Sequence, residues 1–165
     1  YITKTKESAN ARMVGGVCVS GDNPSNYNEQ NLWNMPNFLQ LVLQDPETMR
    51  CQGIDLLHVE QEGDLKVLCV SFNPSSTYVY QTDEEALFNG LLSKHIEFAQ
   101  ANKFDLIVVS KNKQIRTNRT GGKFEAAMDA KIAEVNETFE FAEERVFSYQ
   151  PVYNMKDMDV LWKRV

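Results

Sequence analysis

An α/β domain with one mixed central β-sheet flanked by helices is the fold this sequence predicts. Three observations carry that expectation. β-like runs stand at both ends of the chain, at 11–20, 138–149 and 152–164. Helical patterns alternate with further β-like runs between them, an order that suits one sheet covered by helices. The apolar runs 65–72 and 104–110 are joined through a helical pattern, and a strand–helix–strand crossover makes such neighbours parallel.

The bulk composition agrees. A chain of 165 residues, 42% hydrophobic, is long enough to bury one core. The polar stretch 1–10 reads as an N-terminal segment expected to fray, and 11–165 as the single domain. A formal net charge of −6 disfavours general nucleic-acid binding and an anionic membrane surface as partner. No run of about 18 apolar residues is present, so no membrane partner is expected. Cys18, Cys51 and Cys69 are odd in number and too far apart for a CxxC site. They argue against a disulfide framework and for a reducing, cytoplasmic compartment. The chain begins with Tyr rather than Met, which suggests a processed product or a piece of a longer protein. Nothing in the pattern speaks to oligomeric state.

The elements follow in order. Residues 11–20 read as a strand with a Gly15-Gly16 irregularity, and Gly21–Asn26 as a turn. Between 30 and 44, Leu32, Trp33, Met35, Phe38, Leu39, Val42 and Leu43 stand mostly at helical spacing, with Pro36 in the first turn of a second piece. Two β-like runs, 54–61 and 65–72, flank Glu62-Gly63-Asp64, a hairpin signal. Asn73–Thr77 is expected to be a loop. Thr82 and Glu85 have capping-box spacing, so a helix is expected from about residue 83 to Asn102. Its stripe holds Phe88, Leu91, Leu92, His95, Phe98 and Ala99. A second helix is expected over 122–136, followed by the closing β-like pair around Gln150-Pro151.

The most informative segment follows the run 105–109. Lys111, Lys113, Arg116, Arg119 and Lys123 appear with no acid among them, and Thr120-Gly121-Gly122 leads into a helix. A helix N-terminus presents free N–H groups that attract phosphate or carboxylate, and arginine forks strengthen the attraction. Gly121 and Gly122 permit close backbone approach. A small phosphorylated ligand is therefore the expected partner, against the plain alternative of a solvated loop. The loop Asn73–Thr77, with Ser75, Ser76 and Thr77, lies at the carboxyl end of its strand. Ligands collect there in open α/β sheets.

Candidate chemistry elsewhere is sparser. His58, Glu60 and Glu62 alternate onto one face of a strand, where His58 or Glu60 could act as a general base. The alternative is the polar side of an edge strand. Tyr149 and Tyr153 are candidates for an acid serving a leaving thiolate. Cys18 with His58 lacks any hydrolase motif around the cysteine. His95 sits on the apolar stripe of its helix, as a core histidine would. Two histidines and scattered cysteines make a zinc site improbable, and no metal is expected. Asp55, Glu60 and Lys66 loosely suggest a metal-dependent nuclease, without the usual E-x-K triplet.

The order of elements, from about residue 11 to 165, resembles the GNAT fold of acyl-CoA N-acyltransferases. Lys66–Phe72 resembles the strand that ends in a splay, Asn73–Asp83 the pyrophosphate loop, Glu84–Asn102 the following helix and Phe104–Val109 the next strand. Phe139–Gln150 and Val152–Val165 resemble the closing hairpin. The resemblance implies transfer from an acyl-CoA such as acetyl-CoA to an amine. Segment 73–83 contains no glycine and so lacks that family's Arg/Gln–Gly-x-Gly/Ala element. The phosphates would then fall to Arg116, Arg119 and Lys123. The expected function is an acyltransferase-like enzyme with Glu60 or His58 as base and Tyr149 or Tyr153 as acid. The alternatives are a non-catalytic binding or regulatory domain and, third, a degenerate nuclease-like domain.

Overall fold

The sheet is organised around the turn Gly63-Asp64. On either side the chain runs extended as β3 (Cys51–Glu62) and β4 (Leu65–Pro74), paired antiparallel from Glu62↔Leu65 to Gly53↔Pro74. The computed structural model describes residues 1–3, 36–146 and 154–165. The expected strand 11–20, the turn 21–26 and the residues around Gln150-Pro151 lie outside them.

Among the described residues one seven-stranded mixed sheet is formed, in the order β1-β2-β3-β4-β5-β7-β6. Its other strands are β1 (Ile2–Thr3), β2 (Phe38–Gln44), β5 (Leu106–Ser110), β6 (Thr138–Val146) and β7 (Asn154–Lys163). Only β4 and β5 run parallel, through the crossover the sequence predicts. The helices are α1 (Ser76–Tyr80), α2 (Glu84–Ala101), α3 (Lys113–Arg116) and α4 (Lys123–Val135). The chain is thus a single α/β domain with a mixed sheet.

Four expectations change. Asn73–Thr77 is not a plain loop, because β4 runs through Pro74 and Ser75 caps a helix that begins at Ser76. The helical reading of 30–44 fails over 38–44, which form β2. Leu41 packs with the helix-covered face, and Phe38 and Val42 with the other. A strand covered on both faces shows a continuous apolar run, which periodicity cannot separate from a helix. The segment 1–10 is not wholly frayed, because Ile2 and Thr3 pair with Leu41 and Gln40 at the sheet edge. Finally, Asp83 rather than Thr82 caps α2, its carboxylate accepting from the Ala86 N–H at 3.0 Å.

Two cores result. On one face Phe72, Phe88, Phe124, Leu68, Ile107 and Met128 pack beneath α2 and α4. On the other, Phe38, Val67, Val108, Phe141 and Met158 cluster. Gly53 fixes how β3 meets the end of β4. Its φ is 147°, and a Cβ there would lie 2.5 Å from the Pro74 Cα, so only glycine fits.

Candidate functional site

The sheet opens where β4 and β5 part. They pair at Val67↔Leu106, Leu68↔Ile107 and Cys69↔Val108, while β5 continues along β7 to Ser110↔Met158. Beyond Cys69, β4 would lose its neighbour on that side. The basic segment supplies one. It is not a plain loop, for Asn112 caps the short helix α3, after which the chain returns to β4. The Ser71 hydroxyl donates to the Ile115 carbonyl at 2.5 Å, and the Asn118 N–H donates to the Phe72 carbonyl at 3.3 Å. Thr117 forms a parallel bridge with Phe72. The Arg119 Nε donates to the Pro74 carbonyl at 2.7 Å. Buried backbone groups require partners, and this segment provides them.

The two arginines of the segment therefore differ. Arg119 reaches the end of β4, where its guanidinium is held by the Pro74 carbonyl. Arg116 does not: it is 3% exposed, and its guanidinium lies 3.3 Å from Glu125 and 2.7 Å from Asp129. Glu125 also accepts from the Gly121 N–H at 3.1 Å. The Gly121 N–H, just ahead of α4, is thus taken by the protein's own carboxylate. Gly122, the N-cap residue of α4, and Lys123, its first residue, are exposed. Ser75 is committed to the local backbone, capping α1 through the Tyr78 N–H and donating its own N–H to the Gln52 carbonyl. Ser76 is half-buried and Thr77 exposed.

The row on β3 is split by its surroundings. His58 is 2% exposed, its ring tilted against that of Phe38 at 5.6 Å, and it lies directly opposite Cys69. Burial drives its pKa down to about 3 and pushes the Cys69 thiol well above its usual range. The pair is consequently neutral, and neither group meets solvent as a base or thiolate would. Glu60 is half-buried. Burial raises its pKa, against the opposing pull of Arg145 and of a hydrogen bond from the Asn37 amide at 2.8 Å. Arg145 bridges the row, with Nε 3.4 Å from Glu60 and Nη2 2.9 Å from Glu62, and lies over the Phe141 ring. Glu62 accepts from the Ala142 N–H at 2.6 Å, tying β6 to the β3–β4 hairpin. Of the two catalytic candidates among the described residues, His58 and Glu60, only Glu60 is partly exposed. Tyr149, Tyr153 and Cys18 lie outside the described residues.

The opposite face of β3 holds a pair that sequence reasoning missed. Asp55 and His95 are both buried, with Oδ2 and Nε2 2.7 Å apart, and Asp55 Oδ1 accepts from the Asn73 N–H at 3.1 Å. This pair bolts α2 to the sheet. Two polar residues, each alone on a buried stripe, were the available signal. Because Asp55 and Glu60 occupy opposite faces of β3, they do not converge on a metal, which removes the geometric basis of the nuclease reading. Among the described residues no three His, Cys, Asp or Glu side chains gather as a metal site would require.

Compared with known proteins, the chain matches no family model, no curated protein and no solved structure. No helix among the described residues is long and apolar enough to cross a membrane.

Proposed function

We propose that this chain is an acyltransferase-like domain that takes an acyl-CoA donor and an amine acceptor. One observation carries the reading. β4 and β5 are the sole parallel pair among the described residues, and they part after three rungs at Cys69 and Val108. In the GNAT fold that the chain resembles, a strand ends in such a splay, ahead of the loop and helix that cradle the donor's pyrophosphate. Glu60 is the base, its half-buried carboxyl raised by burial and so better able to hold a proton taken from an ammonium. Tyr149 or Tyr153 is the acid. Lys123, the exposed Thr77, the half-buried Ser76 and Arg119, whose Nε is held by the Pro74 carbonyl, would contact the phosphates, whereas Arg116 and Gly121 are engaged by Glu125.

A second reading has its own support. Segment Ile115–Arg119 hydrogen-bonds to β4 in the same parting, so a donor must displace it or lie beside it. A chain that closes its own slot suits a non-catalytic binding domain. Calorimetric titration with acetyl-CoA separates the two. The acyltransferase reading expects binding that weakens several-fold in Arg119→Ala, and turnover lost in Glu60→Gln with binding kept. No heat of binding at millimolar acetyl-CoA overturns it in favour of the second reading.

A further inference from the structure

We propose that the groove between β2 and α2 is a binding site for a medium-chain fatty carboxylate. It lies at the sheet edge, away from the parting of β4 and β5, and does not depend on the acyltransferase reading. Its volume is about 640 Å³, within the size of small-molecule sites. Leu41, Leu43 and Met49 wall it from the sheet side, Leu87 and Leu91 from the helix, and Gly90 floors it. Among the residues lining it, Lys94 carries the one charged side chain and is the last α2 residue along the groove.

Two local features meet at this groove. Gly90 sits inside an 18-residue helix, where glycine is unfavourable, yet a Cβ there would meet nothing within 4 Å. Met49 adopts φ 61° where the turn between β2 and β3 closes, its N–H donating to the Asp45 carbonyl, and that turn holds its side chain 62% exposed beside the groove. Gly90 leaves the apolar channel wide, and the flexible Met49 side chain gives it an adaptable rim, as an occupying chain needs.

The lining selects a hydrocarbon chain over a peptide. The outer edge of β2 is already paired, Gln40 and Leu41 with β1 and Val42 with the backbone of Tyr1. Gln44 spends its amide on the Met49 carbonyl. A peptide would therefore bury N–H and C=O groups without partners, whereas an aliphatic chain brings none. Lys94 pairs with Glu97 at 2.9 Å, both side chains being exposed, a pairing of little stability that a ligand carboxylate can replace.

Titration calorimetry with laurate, kept below its micelle concentration, tests the assignment. Gly90→Leu fills the groove with a better helix former, so the variant folds, as circular dichroism will verify. Laurate binds the native chain, and Gly90→Leu loses at least about tenfold in affinity, the effect of one well-placed apolar obstruction. Lys94→Ala weakens laurate about fivefold and leaves 1-dodecanol unchanged. Absence of laurate binding, or equal affinity in Gly90→Leu, overturns the site. Undiminished laurate binding in Lys94→Ala overturns the carboxylate assignment, and preference for a leucine-rich amphipathic peptide overturns the hydrocarbon one.

Discussion

Two gaps in this fold meet opposite fates. Where β4 and β5 part, the chain folds segment Ile115–Arg119 back into the opening and closes it with hydrogen bonds to Ser71, Phe72 and Pro74. Between β2 and α2 a groove of about 640 Å³ stays open. The difference lies in what each gap exposes. A parting between strands leaves N–H and C=O groups without partners, and burying them unpaired is costly. A space between a sheet face and a helix exposes only side chains, so nothing compels the chain to fill it. Arg116 and Arg119 of the charged segment are engaged within the protein, and the groove that stays open among the described residues is lined mainly by apolar side chains.

The largest expected effect comes from opening the filled gap. Arg116 is buried against Glu125 and Asp129, and removing it leaves the buried Glu125 carboxylate without its cation. Arg116→Leu should lower stability by about 3–5 kcal/mol, the usual result of breaking a buried pair. Urea denaturation measures it. The double variant Arg116→Leu/Glu125→Leu should recover much of the loss, because no unpaired charge then stays buried. If the single variant costs under about 1 kcal/mol, Arg116 is not the keystone of this segment and is free to hold a ligand.

A smaller effect tests the last rung before the parting. Phe38, His58, Cys69 and Val108 lie in register across four strands there. The pKa of His58 falls from 6.5 to about 3 on folding, through burial. Between those values the unfolded chain binds the proton and the folded chain does not. The stability from His58 is therefore complete above pH 6.5 and is lost as pH falls toward 3, by about 1.4 kcal/mol per pH unit. Urea midpoints at pH 7, 6 and 5 should fall with this slope in the native chain and more gently in His58→Leu. Equal slopes in the two proteins would mean that His58 already carries its charge in the folded state.

Much of the fold was legible because its signals are local. The Glu62-Gly63-Asp64 turn, the stripe from Phe88 to Ala99 and the run 105–109 each announce an element by themselves. β2 was not legible, because cover on both faces erases alternation. The site was less legible for a related reason. Arg116 and Arg119 stand three residues apart in the same composition, yet their partners are 9 to 45 residues away in sequence. Charge in a loop tells that partners are needed, not whether the protein supplies them. The pairing of Asp55 with His95 and of Arg145 with Glu60 and Glu62 likewise depends on register, which no single segment encodes.

The smallest expected effect sharpens the comparison from the open side. If the groove is kept open at the expense of stability, filling its floor by one methyl group should gain stability. Gly90 lies mid-helix, its φ is not positive and nothing surrounds the position where a Cβ would stand. Gly90→Ala should therefore stabilise the protein by about 0.5–1 kcal/mol, the helix-propensity difference, through lower chain entropy in the unfolded state. The gain should appear as a higher urea midpoint with an unchanged slope. Excess laurate bound to the native chain should narrow the difference, because a ligand that favours the open groove stabilises the glycine form more. A neutral or destabilising outcome would mean that Gly90 answers an internal constraint. The groove would then be a by-product of packing, and the contrast between a filled and a reserved gap would fail at its open end.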